Sequence, residues 1–403
     1  MRILWLSRWF PYPPDNGSRI RIFNLLKTLS LKHEVDLISF ASEMVDDEQL
    51  AALRRFCRRV EVARYRPFQP RRAKAMLGYF SSRPRSIIDT HSVELQQLVE
   101  QAGRDRVYEV VIASQIDMAH YALALPRATR IFEEVELTTL YERYAKQNRL
   151  RQKLSGGLTF WKTSHYVADL LKSFAGCTVV SEPERERVLQ ASPYYAPIKV
   201  VPNGVDTATY SGDFGAPEPD SLVYSGALSY QANFEAVDFF LRDIFHLIQA
   251  RRPNVTFSVT GNIDGVPIDR LPINGGTIFT GYLDDIRPAV ARSWVNVVPL
   301  RVGGGTRLKI LESLALGTPV VATRKGAEGL DLVPGRDLLV ADTPADFAAA
   351  VLRLLQDPAL RETLSNHGRK AVAAKYDWRT VGQSLNEFVE RLTMQARLFP
   401  VEG

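Results

Sequence analysis

Val297-Val-Pro-Leu-Arg-Val-Gly-Gly-Gly-Thr-Arg-Leu-Lys-Ile-Leu-Glu-Ser-Leu-Ala-Leu-Gly-Thr-Pro-Val-Val321 reads as a strand, a glycine loop, a helix and a second strand. The apolar run ends at Leu300. Gly303, Gly304 and Gly305 let the backbone approach a ligand closely. Thr306 is the expected N-cap, and the helix runs from about Thr306 to Leu316. Its free N–H groups and positive dipole end would point toward the strand ends, which makes an anion site. Arg307 and Lys309 place two cations in a first turn that favours acids. Breaking that preference suggests an anionic ligand. Glu312 lies three residues after Lys309, on the same face, and can accept two hydrogen bonds from a vicinal diol. The bland alternative is a surface ion pair of Lys309 with Glu312, worth a few tenths of a kcal/mol.

Outward from this stretch the same alternation recurs. Toward the N-terminus, apolar runs at Ile3–Ser7, Val35–Phe40, Val107–Ala113, Thr129–Phe132 and Gly176–Ser181 are separated by helical spacing. The pattern restarts at Ser221–Gly226 and continues through Val255–Gly261, Ile278–Gly281, Val295–Leu300, Pro319–Thr323 and Leu338–Val340. Alternating strands and helices predict parallel sheets covered on both faces. The expected fold class is α/β, with two doubly wound domains in tandem. A linker is expected at Thr207–Asp220, which is poor in apolar residues. Ligands of such sheets bind at the carboxyl ends of the strands, here in a cleft between the domains.

A second helix start follows the first strand, in Pro11-Tyr-Pro-Pro-Asp-Asn-Gly-Ser-Arg-Ile-Arg21. Gly17 and Ser18 open that helix. The spacing is not G-x-G-x-x-G, which argues against a dinucleotide-dependent dehydrogenase. The six histidines show no metal-ligand spacing. No Asp-x-Asp pair, G-x-S-x-G elbow or Walker lysine loop occurs. No metal and no cofactor are therefore expected. His120 is expected to be a packed or solvated residue.

The 403 residues carry a net charge of +6, unevenly spread. Residues 1–190 hold +8 and residues 191–403 hold −2. The densest basic run is Arg54, Arg55, Arg58, Arg59, Arg64, Arg66, Arg71, Arg72 and Lys74. Such a surface attracts phosphates or anionic lipid when it is not simply solvated. No apolar run reaches the ~18 residues of a membrane-spanning helix. The opening Met1–Arg8 is read as a strand instead of a signal peptide. Two cysteines, Cys57 and Cys177, suit a reducing cytoplasm.

Gly303–Ala315 with Gly317–Thr323 resembles the signature of family 4 retaining glycosyltransferases of the GT-B fold. Pro202-Asn-Gly-Val-Asp206 resembles their domain junction. Ser225–Asn233 and Thr280–Asp285 resemble the opening and middle of their C-terminal domain, and Pro13–Arg19 their first loop. The resemblance implies two Rossmann-like domains facing a cleft: an acceptor domain over 1–205, a nucleotide-sugar domain over 206–378 and a helical tail over 379–403. That tail would turn back on the first domain. It also implies donor contacts at Gly17, Ser18, Gly226, Tyr282, Gly303, Gly304, Gly305, Thr306, Arg307, Lys309 and Glu312. Glu312 matches the glutamate that binds the ribose. The family's other glutamate, eight positions earlier, falls on Gly304. The usual Arg and Lys after the first C-terminal strand fall on Ala227 and on Ala232 or Asn233, so Arg307 and Lys309 would supply the charge. The family's N-terminal histidine is not matched. Ser114 and Gln115 occupy that neighbourhood, and Gln115 joins Arg307 and Lys309 as a catalytic candidate.

The expected function is transfer of a sugar from a nucleotide-diphosphate sugar to a glycan or lipid-linked acceptor, in cell-surface polysaccharide or glycoconjugate synthesis. Retention and independence from metal are expected with it. The expected protein is a cytoplasmic monomer at the inner face of an anionic membrane, with no nucleic-acid partner. Arg143, Lys146, Arg149, Arg151 and Lys153, with Tyr144, Leu150 and Leu154, would lie on that membrane. Two rival readings are a GT-B nucleotide-sugar epimerase and a non-enzymatic binder using its basic surface.

Overall fold

The computed structural model describes residues 1–145, 150–273, 275–303 and 307–398. Contacts divide the chain into two units. One is Met1–Asn203 together with the chain from Val381 on, and the other is Gly204–Thr380.

The first unit holds strands β1 (Arg2–Ser7), β2 (Glu34–Ala41), β3 (Arg59–Arg64), β4 (Val110–Ser114), β5 (Thr129–Glu133), β6 (Gly176–Val179) and β7 (Ile198–Val200). They form one sheet in the order β3-β2-β1-β4-β5-β6-β7. All neighbours run parallel. Strands covered on both faces need apolar residues at every position instead of every second one. Ile3, Leu4, Trp5 and Leu6 of β1 and Val110–Ala113 of β4 meet that need and are fully buried.

The second unit holds β8 (Glu218–Ser225), β9 (Thr256–Thr260), β10 (Thr277–Gly281), β11 (Ser293–Val298), β12 (Val320–Ala322) and β13 (Leu339–Val340). Their order is β10-β9-β8-β11-β12-β13, again parallel. In each sheet the winding reverses once, between β1 and β4 and between β8 and β11. At such a reversal the loops leaving neighbouring strands diverge and open a crevice at the carboxyl edge.

Two strands depart from the sequence expectation. β3 lies inside the arginine run that was read as solvated surface. Its Val60 and Ala63 are buried, and its charges occupy a sheet edge, where they discourage pairing with other chains. β7 is three residues of edge strand, too short to show a period. The stretch Thr207–Asp220 is not a free linker. Tyr210 and Phe214 pack against the second unit, and β8 already begins at Glu218. The last helix, Trp378–Leu398, turns back on the first unit. Its Val381, Leu385, Phe388 and Leu392 are buried, and Asn386 Nδ2 donates to Thr28 O at 3.4 Å. Gly382 allows that approach, since a Cβ there would stand 2.3 Å from Thr28 Cγ2.

Candidate functional site

The helix of the glycine-loop stretch runs Leu308–Leu316, so its cap falls one residue after the expected Thr306. Arg307 holds the cap position with no side-chain cap bond. Thr306, the expected cap, and Gly304 and Gly305 lie outside the described residues. Gly317 ends the helix in a left-handed conformation, φ 83°. The helix leaves the β11 side of the reversal between β8 and β11, where the crevice is expected.

Two polar side chains from distant elements meet Lys309 there. Lys309 Nζ donates to the Tyr224 hydroxyl at 2.8 Å and to Asn233 Oδ1 at 3.0 Å. The Tyr224 hydroxyl donates to the same Asn233 oxygen at 2.7 Å. Asn233 Nδ2 donates to Ala227 O at 2.8 Å. Lys309 therefore brings its charge to the stretch where the resemblance expected an Arg and a Lys and found Ala227 and Asn233. Gly226, φ 149°, leaves room for it, because a Cβ there would lie 2.8 Å from Lys309 Nζ. Gly303, φ 101°, comes close to Ala232 in the first turn of the helix Gln231–Phe239, with 3.1 Å left between a Cβ and Ala232 Cβ.

The neighbouring cations are held differently. Arg307 is buried, and its Nη2 donates to Gly303 O at 2.8 Å and to Lys325 O at 3.0 Å. Glu328 is 3.9 Å away. The guanidinium ties the glycine loop to the loop after β12 instead of standing free in the first turn. Glu312, half-buried, accepts from the Tyr210 hydroxyl at 3.1 Å. No ion pair joins Lys309 to Glu312 among the described residues, so the surface-pair alternative is not what forms.

Electrostatics mark this cluster. Burial, reinforced by Arg307, pulls the Lys309 amine down to about 7, with Glu312 opposing. Burial raises the Glu312 carboxyl, against Tyr210 and Lys309. Lys309, desolvated beside a second cation, regains its charged form when an anion is brought to it. Tyr282 is 73% exposed after β10, and among the described residues no hydrogen bond or ring contact joins it to this cluster.

In the first unit Gly17 and Ser18 open the helix Gly17–Leu29, capped by Asn16, whose side chain accepts from Arg19 N. Arg21 of this helix is fully buried. Its Nε donates to Glu133 Oε1 at 2.7 Å, and its Nη1 to Pro202 O at 3.1 Å and Asn203 Oδ1 at 3.0 Å. Ser114 Oγ donates to Glu133 Oε2 at 2.6 Å. Gln115 follows β4 and Glu134 follows β5, and both have left-handed backbones, φ 71° and 58°. Gln115 Nε2 donates to Glu134 Oε2 at 2.9 Å. Burial and the Glu133 charge raise the Glu134 carboxyl to about 7, against Arg21 and Gln115. Strained residues at the carboxyl edge of a parallel sheet are a mark of function. His120, 3.0 Å from His91, is packed and neutral, lowered to about 3 by burial.

The sequence reading missed Tyr210, Tyr224 and Asn233 in the second unit, and Arg21, Glu133 and Glu134 in the first. Only Asn233 lay in a stretch already singled out for its chemistry; Arg21 closed one. The candidates fall in two groups: Gly226, Gly303, Arg307, Lys309 and Glu312 in the second unit, and Gly17, Ser18 and Gln115 in the first.

Residues 219–357 match the family model "Glycosyl transferases group 1". The match lies within the second unit, Gly204–Thr380. Over 305 residues the chain is 27% identical to glycogen synthase of Mycobacterium tuberculosis, covering 70% of this chain and 69% of that protein. It is 19% identical to an uncharacterized 44.6 kDa protein in the cps region of Klebsiella pneumoniae, over 95% of this chain and 98% of that one. Among solved structures, Anabaena HepE in complex with UDP superposes with a TM-score of 0.68. That match has 17% identity and covers 97% of this chain and all of HepE. The fold is GT-B, and together these likenesses support a GT-B glycosyltransferase.

Proposed function

We propose that the protein moves a sugar from a nucleotide-diphosphate sugar to a glycan or lipid-linked hydroxyl, with retention and without a metal. The observation that carries this reading is Lys309. Its amine is desolvated beside Arg307 and sits at the helix start where a phosphate would be received. The solved HepE complex with UDP is consistent with such a ligand in this fold.

The helix-end amides and Lys309 hold the donor diphosphate, and Arg307, bonded to Gly303 O, adds its charge beside them. Glu312 receives the ribose hydroxyls. As the bond from the anomeric carbon to the phosphate oxygen breaks, negative charge grows on the leaving diphosphate. Cations fixed in a low-dielectric place stabilise that charge more than they stabilise the intact donor. The acceptor oxygen bonds to the same face of the anomeric carbon, and its proton passes to the leaving phosphate. The products are the glycoside and a nucleoside diphosphate. Gln115 and Glu134 lie in the unit assigned to the acceptor and orient its hydroxyl. The basic first unit draws an anionic acceptor to the inner face of the membrane.

A screen of UDP-, GDP- and ADP-sugars for nucleoside diphosphate release, with and without lipid, tests this. Release from one donor, stimulated by an acceptor, is the expected result. Conversion of a donor to its epimer with no acceptor, or no turnover of any donor, overturns it.

A further inference from the structure

A second cluster of cations lies in the first unit, away from the sheet reversal. A cavity of about 270 Å³ is lined by Arg64, Arg66, Lys74, Thr90, His91, Ser92, Val93 and Glu94. Arg64 ends β3 and Arg66 follows it. His91 and Ser92 precede the helix Val93–Asp105, and the Ser92 side chain caps it by accepting from Leu95 N. Elsewhere in the arginine run, Arg58 meets Glu34, Arg59 meets Glu61 and Asp105, and Arg72 meets Asp89. Among the described residues, Arg64, Arg66 and Lys74 meet no carboxylate within 4.0 Å. Glu94, the one acid of the lining, takes the Arg64 main-chain amide at 3.3 Å.

His91 of the lining pairs with a second histidine behind it. His91 Nδ1 and His120 Nε2 are 3.0 Å apart, and His120 Nδ1 is buried without a partner. Burial keeps His91 neutral, with Lys74 and Arg83 adding to it. Arginine forks and a lysine converging on a space of this size match the oxygens of a phosphate.

The surface beside Lys74 is apolar. Lys74 belongs to the short helix Ala73–Leu77, which exposes Met76 and Leu77, and Phe80 just beyond it is 94% exposed. Lys162 Nζ donates to Gly78 O, Tyr79 O and Ser81 O at 3.2, 3.0 and 2.9 Å. Those bonds seat the segment on the helix Leu150–Leu171. That helix exposes Leu154, Leu158 and Trp161, spaced four and three apart on one face. Uncovered apolar side chains beside unpaired cations complement a lipid with an anionic headgroup. Of the basic residues expected on a membrane here, Lys146 and Arg149 lie outside the described residues.

We propose that this cavity binds the phosphate of a lipid, with the exposed face of Met76, Leu77, Phe80, Leu158 and Trp161 against its chains. Assigning that lipid as the glycosyl acceptor rests on the transfer reading above; binding of the phosphate does not. A phosphorylated soluble sugar shares the phosphate chemistry but has no use for the apolar face.

The test uses the full chain and two probes. With inorganic pyrophosphate, Lys74 acylation by an amine-reactive ester is followed by peptide mass spectrometry. With vesicles of phosphatidylcholine containing phosphatidic acid, binding is followed by sedimentation against phosphatidylcholine alone. Pyrophosphate is expected to protect Lys74, and phosphatidic acid to bring the protein down. Arg64→Ala with Arg66→Ala is expected to weaken both ~10-fold or more, in a protein with unchanged circular dichroism. Phe80→Ser with Trp161→Ser is expected to reduce vesicle binding while leaving Lys74 protection intact. Unprotected Lys74, or equal protection in the double arginine variant, overturns the site. Protection without vesicle binding overturns the lipid and leaves a soluble phosphate ligand. A protein that passes both tests but turns over no donor refutes the transfer reading alone.

Discussion

Nucleotide binding at the second unit should draw a proton from solution. Lys309 has an ordinary amine pKa of 10.5 when solvated, and burial beside Arg307 lowers it to about 7. At pH 8 the free protein would then hold this amine about nine-tenths neutral. A diphosphate placed against it restores the charged form, since an opposite charge favours ionisation. Binding at pH 8 should therefore take up about 0.9 proton per nucleotide, falling to about 0.1 at pH 6. Nucleotide affinity should fall about fivefold from pH 7 to 8 and about tenfold more from pH 8 to 9. The second ionisation of a phosphate, near pH 6, is about nine-tenths complete at pH 7, so from pH 7 upward Lys309 dominates; at pH 6 the nucleotide's own proton must be subtracted. The assay is calorimetric titration of UDP at pH 8 in Tris and in HEPES. The difference in apparent enthalpy between the buffers gives the proton count. Lys309→Met should bind weakly with no buffer dependence. Tight binding to the parent protein with equal enthalpies in both buffers would refute the reasoning.

Four further outcomes follow from the same geometry. Glu312→Ala removes two charge-assisted hydrogen bonds of ~1.5–3 kcal/mol each, so nucleotide affinity should drop ~10–100-fold or more; an unchanged affinity in a folded variant removes the ribose assignment. Arg307→Ala loses bonds to Gly303 and Lys325, and should lower stability by ~1–3 kcal/mol as well as slow turnover; a fully stable but slow variant would return Arg307 to a pure phosphate contact. Glu134 has its folded carboxyl raised from 4.5 to about 7, so it contributes a cost to folding that appears as pH rises through that window. Glu134→Gln should then stabilise the protein by ~1–3 kcal/mol at pH 8 and by little at pH 4, measured by urea unfolding at both. Turnover should survive excess EDTA, since the sequence has no Asp-x-Asp pair and the proposed site supplies its own cations; loss restored by Mg²⁺ counters this.

The parts legible in the sequence were those written locally. Parallel strands buried on both faces appear as short continuous apolar runs, and β1, β2, β4 and β11 could be placed from them. The glycine loop and the spacing of Lys309 and Glu312 also sit within one stretch. What escaped was long-range. Tyr210 reaches Glu312 across 102 positions, and Tyr224 reaches Lys309 across 85. Arg21 and Glu133, fully buried as a pair, are 112 positions apart. Neither residue alone differs from a surface charge until the fold brings the two together. β3 was hidden because arginines end it, Glu61 stands within it, and only Val60 and Ala63 are buried. Arg307 was misplaced by a single position, because the backbone amides that define the cap leave no mark on the residue types. Its guanidinium turned to carbonyls of two loops, which no spacing rule describes.

A crystal structure of the full chain with a nucleoside diphosphate addresses the central claim directly. The account predicts the diphosphate at the start of the helix Leu308–Leu316, within hydrogen-bond reach of Lys309 Nζ, with the ribose hydroxyls on Glu312. A nucleotide bound elsewhere in the chain, with Lys309 still holding only Tyr224 and Asn233, would contradict it.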